Sequence, residues 1–214
     1  MSFVGKKFPD LNVNAMNEMG DTFKVNVLKE AVNTQKKVLL FWYPKDFTFV
    51  CPTELRAFQA ALGEFEKRNT LVIGASCDTA EVHFAWLNTA KDHGGIEGVT
   101  YPILADSNRN LASTLGILDI SNEQYNEETG IVTVEGDNVT YRATYIIDEE
   151  GTVQHESINN MPLGRNVNEY LRIIDALTHV QENGEVCPAN WEEGKDAMKA
   201  NRNSTAEYLS SLAN

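Results

Sequence analysis

The sequence predicts an α/β protein built on a mixed central sheet. Segments 37–43 and 70–77 are mostly apolar and have the length and bulk of buried strands, and helical spacing of apolar residues follows each segment. Residues 141–147 and 152–158 are β-rich runs on either side of an Asp-Glu-Glu-Gly turn, as in an antiparallel hairpin. Alternating strands and helices imply parallel strands, and the hairpin adds antiparallel ones. We therefore expect one mixed sheet with helices on both faces.

The first half of the chain gives three elements in order. Residues 8–28 alternate weakly around a Met-Gly-Asp turn, which predicts an N-terminal hairpin. Residues 37–43 contain the longest apolar run, 38–43, and are expected to be the central strand. A helix is predicted from Pro52 to about residue 68, because its apolar positions recur at helical spacing, namely Leu55, Phe58, Leu62 and Phe65.

The second half continues the alternation. Thr79 is placed to cap a helix that runs to about residue 91. A short strand at 101–104 and a short helix at 109–115 precede the hairpin. A long helix is predicted at 167–182, and the chain then lacks periodicity until a short helix at 205–212.

Length and charge exclude several classes of partner. The chain has 214 residues, a net charge of −13 and no basic stripe, so nucleic acid and anionic lipid are poor partners. Its longest apolar run, residues 38–43, is far too short to cross a membrane. The first residues lack the apolar core of a signal peptide, which favours a cytoplasmic protein.

Three cysteines, Cys51, Cys77 and Cys187, are present without any C-x-x-C pair. This spacing disfavours a zinc knuckle and a thioredoxin-type local dithiol. In a reducing cytosol such cysteines are free, catalytic or redox-cycling. Cys77 follows an apolar strand and is expected to be non-catalytic, and the four histidines show no metal-ligand spacing.

Cys51 is the most informative residue of the chain. Pro52 is a good first helical residue, so the thiol lies where a helix begins, near unpaired backbone N–H groups that favour the nucleophilic thiolate. Thr48, three residues earlier, can direct its hydroxyl to the same space, and Pro44 can shield that space from water. The alternative is a buried structural cysteine beside a capping threonine, and spacing alone leaves both interpretations open.

At this point the sequence resembles a known family. The motif P-x-x-x-T-x-x-C at 44–51, within the longer string D-F-T-F-V-C-P-T-E at 46–54, is similar to the signature of the typical two-cysteine peroxiredoxins. The segment G-E-V-C-P-A at 184–189 resembles the resolving-cysteine motif of that class, and segments 83–88 and 142–148 also resemble family segments. The resemblance covers nearly the whole chain and is strongest to the bacterial alkyl hydroperoxide reductase C subunit and its eukaryotic relatives.

The resemblance implies a thiol peroxidase that reduces hydrogen peroxide and alkyl hydroperoxides, an antioxidant of cell redox homeostasis. Cys51 would be the peroxidatic nucleophile, Thr48 would bind the peroxide oxygens and Pro44 would guard the thiolate. Arg142 would supply the cation beside the thiolate, and Glu54 would hold that arginine or the loop. From the residues alone, Arg142 also fits a strand-edge arginine in solvent, and Glu54 fits a first-turn carboxylate favoured by the helix dipole.

The same resemblance implies a thioredoxin-like peroxidase domain at 1–183 and a C-terminal extension at 184–214. Cys187, otherwise a tail cysteine of no evident role, would be the resolving thiol and would form an inter-subunit disulfide with Cys51. The partners would be a peroxide substrate and a dithiol reductant, either a flavoprotein disulfide reductase or thioredoxin, and the assembly a homodimer, five of which form a decamer. No cofactor is expected, whether metal, haem or flavin.

Other functions remain open on sequence grounds. The same cysteines also suit a redox relay or a holdase chaperone. A Cys–His hydrolase is disfavoured, because no histidine lies in a recognisable partner motif. The segment G-G-I-E-G at 94–98 and the pair Tyr208-Leu209 match imperfectly the elements of peroxide-sensitive family members, so we predict intermediate sensitivity to over-oxidation.

Overall fold

The computed structural model describes residues 2–120 and 122–212. The chain divides into two compact units, Met1–Arg165 and Asn166–Asn214, which are described separately. The sequence-based boundary between residues 183 and 184 marks the segment that carries Cys187, and it stays a prediction.

The first unit contains a mixed sheet and five helices within its described residues. The strands are β1 (Val13–Met16), β2 (Thr22–Val25), β3 (Lys37–Trp42), β4 (Thr70–Ser76), β5 (Ile103–Ala105), β6 (Asn122–Asn126), β7 (Ile131–Glu135), β8 (Arg142–Ile147) and β9 (Val153–Asn159). The helices are α1 (Val27–Thr34), α2 (Cys51–Ala60), α3 (Leu62–Lys67), α4 (Ala80–Leu87) and α5 (Asn110–Leu115), with a 3-10 turn at Lys91–His93.

The main sheet has the order β2-β1-β5-β4-β3-β8-β9 among the described strands. Strands β3, β4 and β5 are parallel, whereas β1 pairs antiparallel with β5, and β8 pairs antiparallel with β3 and β9. The predicted mixed sheet, with an N-terminal hairpin on one side and a second hairpin on the other, is confirmed.

Strand β3 lies near the centre of the sheet, and all six of its residues are buried. Phe41 stacks on Phe58 of α2 with ring centroids 4.1 Å apart. The alternate residues Leu40 and Trp42 belong instead to a core cluster that includes Ala31 of α1. Because successive strand side chains point to opposite faces, helices cover both sides of the sheet, and the buried apolar run anchors the segment that follows it.

Four parts of the first unit differ from the sequence prediction. Helix α4 ends at Leu87 rather than near residue 91, and Thr79 at its N-cap makes no side-chain cap bond. Helix α1 was not predicted, because it is only eight residues long and buries just two side chains, Val27 and Ala31. The helix expected from Pro52 to residue 68 is two helices, since Ala61 leaves the helical region with φ −95° and ψ 2°. The β6–β7 hairpin was also missed, because β7 is exposed along its length and buries no face against the core.

The second unit contains α6 (Val167–Asn183) and α7 (Arg202–Ser211). Helix α6 starts at the Asn166 cap and ends at Gly184, whose φ of 64° is the left-handed conformation that glycine favours. The predicted long helix is therefore confirmed to within a residue. None of the helices in the part of the chain that the structure describes is long and apolar enough to cross a membrane.

Candidate active site

Cys51 is the first residue of α2 and is 1% exposed. The loop that carries it follows β3, so the buried central strand fixes where the thiol lies. Val50 occupies the N-cap position without a side-chain cap bond, and proline stands in the first turn. The sulfur therefore lies at a helix start whose backbone N–H groups have no side-chain acceptor at the cap, as the sequence predicted.

Arg142 is the cation beside this sulfur. It begins β8, the antiparallel neighbour of β3, and its side chain is 4% exposed. Its Nη1 donates to Cys51 Sγ at 3.4 Å and to Glu54 Oε2 at 2.6 Å, and its Nε donates to the Met161 carbonyl at 2.6 Å. The alternative of a solvent-exposed arginine at a strand edge is thus wrong, and the guanidinium fork holds three partners in fixed directions.

Glu54 joins Arg142 to a second buried arginine that sequence analysis missed. Arg165 contacts Glu54 through Nε at 2.8 Å, Nη2 at 2.8 Å and its backbone N–H at 3.0 Å. Its guanidinium also lies 5.2 Å from the centroid of the Phe41 ring. The one local sign of this contact is Gly164, where an added Cβ would lie 3.4 Å from a Val50 methyl group, so the absence of a side chain lets the loop approach α2.

The cluster beside the Cys51 sulfur carries a net positive charge. Arg142 and Arg165 bring two positive charges, and Glu54 brings one negative charge. This surplus positive charge lies where it can stabilise negative charge that develops at the cleft during a reaction.

A cleft of about 320 Å³ opens onto the sulfur. Pro44, Thr48, Cys51 and Arg142 line it together, and Thr48 Oγ1 donates to the Lys45 carbonyl at 2.8 Å. The remaining lining residues are Lys45, Phe49, Val50, Asp137, Val139, Met161 and Pro162. The structure thus brings together five of the six predicted site residues, with Glu54 beneath the cleft through its bond to Arg142.

The sixth predicted residue, Cys187, belongs to the second unit. It is partly buried as a free thiol, and its Sγ lies 3.6 Å from the Ala176 carbonyl of α6. Burial raises its pKa, while the cation of Arg172 acts in the opposite direction. Cys187 in this state is therefore a protonated thiol near neutral pH.

Cys77 lies directly after β4, and its expected non-catalytic role stays a prediction. It is buried, and burial together with the Asp106 carboxylate raises the pKa of its thiol to about 12. Such a thiol is a poor nucleophile. Within residues 2–120 and 122–212, no group of three or more histidine, cysteine, aspartate or glutamate side chains is arranged to hold a metal ion.

Comparison with protein-family models gives two matches. Residues 4–156 match the model of the AhpC/TSA family, and residues 176–211 match the C-terminal domain of 1-Cys peroxiredoxin. The two models together cover the segments that carry Cys51 and Cys187.

Individual proteins show the same likeness over nearly the full chain. Alkyl hydroperoxide reductase C of Helicobacter pylori is 40% identical over 209 residues, covering 96% of this chain and 96% of that protein. Peroxiredoxin-2 of Bos taurus is 39% identical, covering 97% of this chain and 94% of the relative. The crystal structure of reduced 2-Cys peroxiredoxin of Plasmodium vivax is 38% identical and superimposes with a TM-score of 0.87, covering 98% of this chain and all of that chain.

Proposed function

The chain belongs to the AhpC/TSA family of peroxiredoxins, and on that premise we propose that it reduces hydrogen peroxide and alkyl hydroperoxides with Cys51 as the nucleophile. It is a thiol-dependent peroxidase with a thioredoxin-like α/β fold. The observation that carries the assignment of Cys51 is the 3.4 Å contact of its sulfur with Arg142 Nη1 at the cleft.

The first step is a displacement at oxygen. The Cys51 thiolate forms a bond to one peroxide oxygen, the O–O bond breaks, and its electron pair leaves with the other oxygen as hydroxide or alkoxide, which takes up a proton. Arg142 stabilises the negative charge as it moves from sulfur to oxygen. Thr48 lines the same cleft, and because its hydroxyl hydrogen is donated to the Lys45 carbonyl, its oxygen is left to accept from the peroxide O–H. Cys51 becomes a sulfenic acid.

The second step uses Cys187. Its thiol attacks the Cys51 sulfenic acid, an S–S bond forms, and the hydroxyl leaves as water. We assign this disulfide to two different subunits, following the family precedent for the motif at 184–189. Because a disulfide needs Cα atoms within about 7 Å and Cys51 is buried in a helix, the first turn of α2 has to open for this step.

As a family member, the protein works with a thiol reductant and forms oligomers. We propose that the reductant is a dithiol protein, either a flavoprotein disulfide reductase or thioredoxin, which takes the disulfide by thiol–disulfide exchange. The oligomer is proposed to be a homodimer, five of which assemble into a decamer in the cytoplasm. Turnover with each purified reductase distinguishes the two reductants, and failure of both would reject this part of the proposal.

Peroxide consumption with a dithiol donor tests the catalytic assignment. Cys51→Ser is expected to abolish turnover. Cys187→Ser is expected to retain one stoichiometric oxidation of Cys51 but to lose the disulfide-linked dimer band on a non-reducing gel. Cys77→Ser is the matched control, since its thiol is buried and protonated, and it should behave as the wild type. A monomer that persists after mild peroxide treatment of the wild type would reject the inter-subunit disulfide.

A further inference from the structure

A buried polar cluster lies beneath the loop that forms one wall of the cleft. It consists of Tyr43, Asp46 and His83, and the side chains of Asp46 and His83 are 1% and 0% exposed. Asp46 Oδ2 lies 2.7 Å from His83 Nδ1, and the Tyr43 hydroxyl donates to Asp46 Oδ1 at 2.7 Å. His83 Nε2 lies 3.1 Å from the Leu104 carbonyl. The proposed chemistry at Cys51 makes no use of this cluster.

The hydrogen-bond partners define where its protons lie. A carbonyl oxygen only accepts, so His83 Nε2 carries the hydrogen that is donated to Leu104. His83 Nδ1 and Asp46 Oδ2 then share one proton across their 2.7 Å contact. Burial raises the pKa of Asp46, and the bond to His83 opposes that shift. Both carboxylate oxygens and both ring nitrogens thus have a partner, which makes the cluster a rigid joint.

This joint connects the loop to the scaffold. His83 lies on α4 and Leu104 on β5, whereas Asp46 lies in the loop midway between Pro44 and Thr48, which both line the cleft. The backbone N–H of Asp46 also donates to Asp78 Oδ2 at 2.9 Å. Asp46 is therefore attached to the scaffold through its side chain and its main chain.

The loop has a conformation that needs such an attachment. Phe47, directly after Asp46, has a φ of 54°, the left-handed region that a bulky residue rarely adopts. A residue held there costs of order 1–3 kcal/mol and persists only when its surroundings fix it. Asp46 fixes the backbone on one side of Phe47. On the other side, the Thr48 hydroxyl donates a hydrogen bond to the Lys45 carbonyl.

We propose that Asp46 and His83 are positioning residues that hold the 44–48 loop so that Pro44 and Thr48 face the Cys51 sulfur. They act through the loop and do not contact the substrate. The inference rests on the proposed role of Cys51. The peroxide reaction, which needs Pro44 and Thr48 in place, should therefore depend on the contact between Asp46 and His83. A reaction that needs only the Cys51 thiolate should not depend on it.

Three variants separate placement from general stability. Asp46→Ala removes the joint. Asp46→Asn keeps it, because an amide can donate to His83 Nδ1 and accept from the Tyr43 hydroxyl. Tyr43→Phe removes the hydroxyl's bond to Asp46 and its longer 3.4 Å contact with His83 Nδ1, but it leaves the 2.7 Å contact between Asp46 and His83. This variant therefore still tests the proposal if Asp46→Ala does not fold. The matched control is Lys37→Ala, which breaks the buried 2.7 Å ion pair of Lys37 with Glu149 at the opposite end of β3.

Two rate constants at Cys51 are measured for each folded variant, with hydrogen peroxide and with iodoacetamide. Asp46→Ala should slow the peroxide reaction on the order of 10- to 100-fold, as expected when reacting groups lose their alignment by about 1 Å. Asp46→Asn should stay within about threefold of the wild type, Tyr43→Phe should fall between them, and Lys37→Ala should lose thermal stability without losing rate. Alkylation should change by less than about twofold in all of them, since it needs only the thiolate.

Wild-type peroxide rates in Asp46→Ala would overturn the inference, and so would an Asp46→Asn variant as slow as Asp46→Ala. Parallel losses of the peroxide and alkylation rates, or equal slowing by Lys37→Ala, would also overturn it, because they indicate general destabilisation. A wild-type protein that does not react with peroxide would reject the proposed function itself. That outcome is distinct from a reactive wild type with an unaffected Asp46→Ala variant.

Discussion

Replacement of Arg142 by methionine is the sharpest test of the proposed site. Methionine keeps much of the length and apolar bulk of the side chain but removes the cation 3.4 Å from the Cys51 sulfur. Glu54 keeps a partner in this variant, because Arg165 still contacts both of its carboxylate oxygens. The change therefore removes the charge beside the sulfur without leaving the carboxylate unpaired.

The geometry sets the size of the effect. Two unit charges 3.4 Å apart interact by about 5 kcal/mol at an effective dielectric constant of about 20. Part of this is offset, because Glu54 Oε2 lies 2.6 Å from the same nitrogen. A net loss of roughly 3–4 kcal/mol remains, which is similar to the loss of one donor from an oxyanion hole and corresponds to about 10²–10³ in rate.

The assay is rapid mixing of the reduced protein with hydrogen peroxide, followed through tryptophan fluorescence, with the second-order rate constant as the readout. Arg142→Lys should recover only part of the loss, since an ammonium cannot hold sulfur, carboxylate and carbonyl in one plane. The control is Arg68→Met, which removes an arginine paired with Glu64 at 3.0 Å on the surface and should leave the rate unchanged. A loss of less than about tenfold in folded Arg142→Met would refute the electrostatic argument.

Cys77 and the C-terminal helix give two further predictions. Burial raises the pKa of Cys77 from 9.0 to about 12, so its contribution to stability is complete below pH 9 and is lost as the pH rises toward 12. Between pH about 8 and about 11, the free energy of unfolding measured in urea should therefore fall less for Cys77→Ala than for the wild type. Equal decreases in the two proteins would contradict this. The wild type should gain two oxygens on Cys51, measured by intact mass, at intermediate peroxide concentrations. Leu209→Phe should lower that concentration while the equally exposed control Leu212→Phe does not; gain only at very high peroxide in the wild type would contradict the prediction.

The sequence pattern was sufficient to predict those features that lie within one helix, strand or loop. The apolar run of β3, the start of α2 and the long amphipathic α6 were all predicted, because burial of one face leaves a period in the sequence. Pro44, Thr48 and Cys51 lie within eight consecutive residues, so their convergence needs only one loop and a helix start. Elements without a buried face, such as β7, leave no comparable period.

Contacts between residues far apart in the chain could not be predicted from local sequence patterns. Arg142 is 91 residues from Cys51, and family resemblance rather than spacing pointed to it. Arg165 is 111 residues from Glu54 and lies in a loop without periodicity. From the sequence alone, an arginine in such a loop is expected to be exposed to solvent. Its buried position follows from the tertiary fold, which brings that loop against the first turn of α2.

We expect oxidation of Cys51 to favour opening of the start of α2. Three hydrogen bonds hold the first turn to the Val50 carbonyl, from Thr53 N at 3.0 Å, Glu54 N at 3.3 Å and Thr53 Oγ1 at 2.6 Å. Their net contribution is about 2–4 kcal/mol in total, and Pro52 adds no donor. Attraction of the Cys51 thiolate to Arg142 is of similar size, and it is present only while the sulfur is negatively charged. Conversion to a protonated sulfenic acid removes that attraction, whereas Glu54 stays fixed by two arginines one turn further on. Opening is therefore expected after the peroxide step, and it should end at Glu54.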